Sequence, residues 1–393
     1  MNKKPRIAFF TWIYPNCPGY NDFNNRVQSL SEDFEVTVVS NTPDARVHFG
    51  LPQERFHHIP CIREPWPILT HYLVQTNRYL MNTKPFGVFF CNSFFAPFLP
   101  FLKHPRTALY WNEHPSHAYP AKSRWSALSP IVLPRNGAMR ALYYKGARAA
   151  NVVMPIGERL KDDLIKHRVP TERIVCVAMG VDARFQVAGS REPYRGDRPI
   201  HLVYVGSISE DRGRNIMLEA LAQAKSEGAQ FRLTLVGGPP QELAICHHLA
   251  QSLNIRSDVS LHDAVPGNRI PDYLLRADMG ICIWANKPHW NYNPPTKLFE
   301  YLVSGLPVFA SRIKTHTDTI TDGYNGIVFD YDVGSMKEAL LNIWHSREKL
   351  PELSAHAAES GADYLWPMVK HRFINAIKSK WRIEENGVSN DRI

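Results

Sequence analysis

Between Asn293 and Ala310 the chain reads NPPTKLFEYLVSGLPVFA, an order of residue types that suits an anion site at the start of a helix. Two prolines that cannot continue a helix lead to Thr296 as an N-cap. An amphipathic helix from Lys297 to Val303 follows, Gly305 closes it, and Pro307 opens a buried strand. Unbonded backbone N–H groups and the positive end of the helix dipole favour an anion at such a start, and Lys297 in the first turn adds a full charge. A diphosphate fits that combination. Glu300, one turn further in, can accept two hydroxyls of a polyol such as a ribose through one carboxylate. Lys297 and Glu300 also fit an ordinary (i, i+3) surface pair worth a few tenths of a kcal/mol, and this segment taken alone leaves both readings open.

The elements that must position these residues follow from short apolar runs. Lys4–Trp12, Glu35–Ser40, Phe86–Cys91 and Thr107–Trp111 each end in polar or turn residues, as strands buried on both faces of a parallel sheet do. Helix-capable stretches lie between several of them, which gives βαβ units. The same grammar restarts after Gly189–Arg198, a segment rich in Gly, Pro and charge that reads as a linker. Strands are expected at His201–Val205, Phe231–Val236, Val259–Leu261, Met279–Trp284, Pro307–Ala310 and Gly326–Phe329. Helices are expected at Asn215–Glu227, Gln241–Leu253, Ile270–Arg276, Lys297–Val303 and Gly334–His345. The class is therefore α/β, with two tandem Rossmann-like domains and the cleft between them as the natural ligand site.

At this point the sequence resembles the retaining glycosyltransferases of the GT-B fold, specifically family 4 (glycosyl transferases group 1). PTKLFEYLVSGLPVFAS looks like their nucleotide-sugar signature, and other parts occur in the expected order. HLVYVGSISEDRGRNIMLEA, His201–Ala220, is similar to the family's strand, glycine and basic-Gly segment, with Arg212-Gly213 where Lys-Gly is usual. GVDARF, Gly180–Phe185, FRLTLVGG, Phe231–Gly238, and DGYNGIVF, Asp322–Phe329, match further segments, and Tyr364–Phe373 sits where the last helix returns to the N-terminal domain. The match is good over residues 175 to 375 and only outline over residues 5 to 160.

The resemblance implies an acceptor-side domain at 1–190, joined by a return helix at about 365–383, and a nucleotide-sugar domain at 191–364. It implies that Arg212 and Lys297 clamp the donor diphosphate, that Glu300 holds the ribose, and that Thr296 belongs to the donor site. A second family glutamate, eight positions before Glu300, is Tyr292 here, so Tyr292, Asn293 or backbone groups are expected at the donor sugar. An arginine common after the first glycine is Ser207, leaving Arg212 more of the phosphate work. Gly19, in WIYPNCPGYNDFNNR after the first strand, is the candidate for the phosphate loop, with a plain loop glycine as the other reading. His114, after the strand Thr107–Trp111, is the candidate catalytic histidine, although the order Glu113-His114 leaves the alignment open by one position.

The implied reaction is transfer of a hexose from a nucleotide diphosphate sugar to a hydroxyl with retention, in bacterial surface polysaccharide or glycolipid assembly. No carboxylate stands out as a covalent nucleophile, so same-face attack assisted by the donor phosphate is expected, with residues stabilising charge and positioning the reactants. Apart from the nucleotide-sugar co-substrate no cofactor is implied, and no metal: Asp330-Tyr331-Asp332 reads as a helix cap and Asp162-Asp163 lies in a helix. Two other classes stay open. A sugar-nucleotide epimerase would share the shape but need acid/base carboxylates, and a catalytically silent member would be expected to lack Lys297 or Glu300.

Composition narrows the partners. Hydrophobic residues make up 44% and charged residues 21%, ordinary values for a folded chain of 393 residues. No apolar run reaches the roughly 18 to 20 residues of a membrane span, and a cytoplasmic protein is expected. Six single cysteines read as reduced thiols, and the histidine pairs lack a ligand set for zinc. Forty-six basic against 37 acidic residues give +9. The stretch from His114 to Gly157 holds no acid, while Lys122, Arg124, Arg135, Arg140, Lys145 and Arg148 alternate with Trp125, Leu133, Met139, Leu142, Tyr143 and Tyr144. That pattern suits a peripheral contact with an anionic membrane and a saccharide or lipid-linked acceptor. A solvated helix is the other reading, and no nucleic-acid motif accompanies the charge.

Overall fold

Twelve short strands, most of them largely apolar, sort into two parallel sheets of six. The first contains β1 (Arg6–Thr11), β2 (Glu35–Ser40), β3 (Phe56–His58), β4 (Gly87–Phe90), β5 (Thr107–Trp111) and β6 (Val152–Pro155), in the order β3-β2-β1-β4-β5-β6. The second contains β7 (Ile200–Val205), β8 (Phe231–Val236), β9 (Val259–His262), β10 (Met279–Cys282), β11 (Val308–Ser311) and β12 (Gly326–Phe329), in the order β12-β11-β10-β7-β8-β9. A computed structural model describes residues 4–12, 20–43, 46, 49–60, 71–102, 104–119, 129–384 and 387–388. It divides the chain into two compact units, residues 1–180 with 367–393, and residues 181–366. Both are doubly wound α/β units, as the alternation of apolar runs predicts. The Gly- and Pro-bearing segment Gly189–Arg198 lies inside the second unit.

In the first unit the strands stack aromatic on aromatic, Phe9 on Phe89 at 5.1 Å and Phe10 on Phe90 at 5.0 Å. The helix Trp366–Lys380 completes this layer: Phe373 meets Phe89 edge-on at 5.5 Å, and Trp381 covers Gly87 so closely that a methyl there would sit 2.4 Å from its ring. Arg26 is wholly buried. It pairs with Asp22 at 2.9 Å, donates to the Ala178 carbonyl at 3.2 Å, and lies 3.9 Å from the Tyr110 ring. Asp22 also accepts from the Gly180 N–H at 3.0 Å, so this charge pair ties the segment leaving the unit to its first helix, Tyr20–Asp33.

The basic stretch forms the helix Ser129–Ala149, but its aromatic anchors turn inward: Tyr143 and Tyr144 are buried, while Arg135, Lys145 and Arg148 remain exposed. Lys122, Arg124 and Trp125, the Leu133 side chain, and the calls at Gly19, Cys17 and Cys61 lie outside the described residues. Cys91, Cys176, Cys246 and Cys282 are not in disulfides. No helix among the described residues is long and apolar enough to cross a membrane.

In the second unit the sheet shapes itself around the helix Thr296–Val303. Lys297, Leu298, Phe299, Tyr301, Leu302 and Val303 are all buried. The Tyr301 ring lies against Gly280 of β10, where a methyl would come within 2.4 Å, and its hydroxyl accepts from the Val205 N–H at 3.0 Å. Gly305 ends the helix in the left-handed region at φ 64°, as expected, with its N–H bonded to Leu302 O at 2.8 Å. Arg191 supplies the partners for the C-terminal carbonyls, donating to Ser304 O at 2.7 Å, Gly305 O at 2.8 Å and Leu274 O at 3.3 Å. Burial holds its guanidinium down at about 10. The expected helix cap at Asp332 is formed, its carboxylate accepting from Ser335 N at 2.8 Å.

Replacing Arg191 by Leu leaves three carbonyls without this donor. The loss expected is about 2 kcal/mol, the scale of charge-assisted hydrogen bonds to part-buried acceptors. It reads out as a lower urea midpoint at unchanged slope; an unchanged midpoint would show that the clamp contributes nothing.

Candidate functional site

The site grows from three turns at the C-terminal end of the second sheet. After β7 the chain passes through Gly206 at φ 119°, and after β8 through Gly237 at φ 111°, backbone conformations that a side chain rarely adopts. The turns pack on each other so tightly that a methyl on Gly237 would sit 2.9 Å from Gly206 O. The third turn is the one-turn helix Glu210–Arg212 and Gly213 at φ 73°, where a methyl would strike Ile283 at 2.4 Å. Gly213 then starts the helix Arg214–Ser226.

Lys297 enters this corner from the side. Its Nζ lies 3.5 Å from the centre of the Tyr204 ring and 3.2 Å from where a Gly206 Cβ would be. The residue is 8% exposed and its ammonium has no hydrogen-bond partner among the described residues. The Tyr204 hydroxyl donates to Ser207 O at 2.8 Å, so one ring both fixes the turn and faces the cation. Burial, the largest influence, and the Arg212 charge push Lys297 down to about 7, against the opposing pull of Cys282 and Glu300. Glu300, one turn along, is pushed up to about 7 by burial against the opposing pull of Lys297. No described residue is hydrogen-bonded to its carboxyl.

Arg212 approaches from the opposite turn. Its guanidinium lies 4.7 Å from the Trp284 ring and 5.1 Å from the Trp290 ring, and the two indoles stack at 5.1 Å. Behind them Cys282 and His316 form a fully buried layer. The His316 Nδ1–H donates to Ser311 O at 2.8 Å and its Nε2 accepts from Cys282 Sγ at 3.3 Å, a tautomer assigned from these partners. Burial drives His316 down to about 4 and Cys282 up to about 12, so both stay neutral.

The helix start differs from the expectation in one respect. Pro295, extended at ψ 138°, holds the N-cap position and Thr296 is the first helical residue, so no side chain caps the helix. The Pro-Pro pair fixes the entry, and Leu298 N–H closes the first turn onto Pro295 O at 3.1 Å. Lys297 and Glu300 fall where their spacing puts them. Tyr292 and Asn293 are half-buried just before these prolines, following the one-turn helix Pro288–Asn291. No cluster of three metal-ligating side chains occurs among the described residues.

His114 belongs to the first unit. It is 9% exposed, at the exit of β5. Its Nδ1 accepts from Ser116 N at 3.2 Å, which places the proton on Nε2, next to the Tyr144 hydroxyl at 3.2 Å and Asp163 at 3.4 Å. Tyr144 donates to Asp163 at 2.6 Å. Burial works against the Asp163 charge, but the hydrogen bonds from His114 and Tyr144 prevail and hold its carboxyl below the usual range. Glu113 instead pairs with His117 at 3.0 Å. Thus the structure brings Arg212, Lys297, Glu300 and the 292–296 segment together within one unit. The sequence reading gave no role to Tyr204, Trp284 or Trp290, and took Asp163 only as one of a helical acid pair. The spacing YVG did carry a signal for Tyr204, since residues two apart on a strand share a face.

Comparison with known proteins bears on these residues. Residues 199–346 match the family model described as glycosyl transferases group 1. The putative colanic acid biosynthesis glycosyltransferase WcaL of Escherichia coli (strain K12) is 25% identical over 171 residues, 43% of this chain and 41% of that protein. The D-inositol 3-phosphate glycosyltransferase of Corynebacterium kroppenstedtii is 26% identical over 225 residues, 52% of this chain and 48% of that protein. The chain thus spans less than half the length of these curated relatives. The crystal structure of Anabaena HepE in complex with UDP-glucose superposes with a TM-score of 0.72 at 13% identity, over 95% of this chain and all of that one. This likeness shows the fold, which is GT-B.

Because Lys297 is depressed toward 7, its folded form favours losing the proton. That contribution to stability is present above the unfolded value near 10.5 and is lost as pH falls through about 7. Lys297→Met removes a buried cation without hydrogen bonds and is expected to raise stability by on the order of 1 kcal/mol. The gain should be largest below pH 7 and shrink toward pH 10. Thermal melts across this range check it, and a destabilised variant at pH 6 would contradict the electrostatic reading.

Proposed function

We propose, from a C-terminal domain that belongs to the glycosyl transferases group 1, that this chain moves a hexose from a nucleotide diphosphate sugar to a hydroxyl acceptor with retention of configuration. The observation that carries the reading is a pair of cations, Lys297 and Arg212, held on aromatic rings with no carboxylate among the described residues hydrogen-bonded to either, beside a helix start without a side-chain cap. A donor diphosphate is the counter-charge they lack. In the proposed reaction they take up the negative charge that grows on the leaving nucleotide as the glycosidic bond breaks. A leaving phosphate oxygen accepts the acceptor proton on the same face, and the new bond forms from that face.

Glu300 is proposed to accept the ribose hydroxyls, with Tyr292, Asn293 and Thr296 lining the donor sugar and phosphates. Lys297 supplies charge without a metal ion in this scheme. His114, braced by Tyr144 and Asp163, is assigned to the acceptor side. Production of a surface polysaccharide or glycolipid is supported by the relatives' stated roles. A peripheral membrane contact rests on Arg135, Lys145 and Arg148 alone, and failure of the protein to sediment with anionic vesicles at low salt would remove that clause.

Calorimetric titration of UDP, GDP and ADP without divalent metal tests the site. One nucleotide is expected to bind selectively, and Glu300→Ala is expected to weaken it by at least ~1 kcal/mol, about fivefold. A folded wild type that binds none of the three overturns the transferase reading.

A further inference from the structure

Arg212 has a carboxylate as its chain neighbour, yet the two are kept apart. Asp211 and Arg212 are adjacent in the one-turn helix that ends at Gly213, and no ion pair joins them among the described residues. Instead its carboxylate is taken by Lys287, which donates to Asp211 Oδ2 across 76 positions of sequence. Lys287 also lies 4.9 Å from the Trp290 ring, the ring that carries Arg212 on its other contact. The segment that presents Lys287 is closed on itself: Trp290 N donates to Lys287 O at 3.0 Å, as does Asn291 Nδ2 at 3.3 Å. The opposite turn is pinned by the Tyr331 hydroxyl, which donates to Glu210 O at 3.0 Å. The neighbouring cation, Arg214, is neutralised by Glu242. Of the cations on these turns, Arg212 alone has no acidic partner among the described residues.

We propose that Lys287 is a positioning residue for donor binding: by occupying Asp211 it keeps Arg212 unpaired on the Trp284–Trp290 stack and open to an anionic ligand. This rests on the reading of Arg212 and Lys297 as a diphosphate clamp. Without Lys287, the Asp211 carboxylate turns to the adjacent guanidinium, and an incoming diphosphate must displace it. An exposed ion pair of this kind is weak and screened by salt, so the effect is a modest one that grows at low ionic strength.

A double-mutant cycle tests it, with the affinity of UDP, GDP and ADP measured by calorimetry at low salt. Lys287→Met is expected to weaken the nucleotide that binds wild type by about two- to fivefold. In an Arg212→Met background the same change is expected to have no effect, because Lys287 acts through Arg212. Lys287→Met combined with Asp211→Asn is expected to return to the wild-type affinity. An equal loss in both backgrounds would show that Lys287 acts on the ligand directly and would overturn the proposal. So would an unchanged affinity of Lys287→Met, or a loss that Asp211→Asn does not restore, which marks a structural role. These outcomes leave the transferase reading standing; only a wild type that binds no nucleotide removes both.

Discussion

A lysine ammonium buried with no hydrogen-bond partner is a costly arrangement, and in this chain much of the second unit is arranged around it. Lys297 could avoid the cost by turning to water, but its position in the first turn of a helix whose other residues are locked into the sheet prevents that. The sheet meets it with a tyrosine face, and with glycine where any side chain would press on it. Taking a cation out of water without hydrogen bonds is unfavourable, and a ring face returns only part of the loss. The ammonium responds by giving up its proton more readily, toward pH 7. Such a group sits at the edge of charging at neutral pH, and a nearby anion tips it to the charged form.

The glycines follow from the same constraint. Gly206, Gly213 and Gly237 occupy positive φ; a Cβ would clash with Ile283 at Gly213 and with Gly206 O at Gly237, and would press on Lys297 at Gly206. They let the two strand-to-helix connections that follow β7 and β8 crowd around the corner that the helix start enters. Arg191 then holds the far end of that helix through its last carbonyls. One end of the helix is thus closed by a cation, and the other is left without any side-chain cap. This polarity favours an anion at the open end.

Much of this was legible in the sequence, and for a physical reason. Buried parallel strands read as uninterrupted apolar runs, so β2, β5, β8 and β12 fall where their patterns put them. Proline before and glycine after fixed the helix 296–303 to within a residue. Thr296 was taken for the cap because threonine caps well, but Pro295 already holds the extended conformation that position needs. Strand β3, FHH, escaped notice because an edge strand with two exposed histidines carries no apolar run. The aromatic supports of the cations were not legible either. Trp284 and Trp290 look like core residues in one dimension, and only the turn that carries Arg212 back over them gives them a charge to hold. Tyr143 and Tyr144 show the opposite error: beside exposed basic residues they read as surface anchors, whereas helical periodicity turns them inward against β5.

Holding cations on rings rather than on carboxylates has a chemical consequence. A carboxylate partner satisfies a cation and must be displaced by any anionic ligand, so part of the binding energy is spent breaking the resident pair. A π face orients the cation but leaves its charge and its N–H donors largely unspent. At this corner the carboxylates are directed elsewhere: Glu242 to Arg214, Asp211 to Lys287, and Glu300 is held toward its neutral form by burial. The unit thereby carries two cations that no carboxylate among the described residues neutralises. For Lys297, buried and without a hydrogen bond, this is a cost to the folded unit, and under the proposed function a donor diphosphate would offset it.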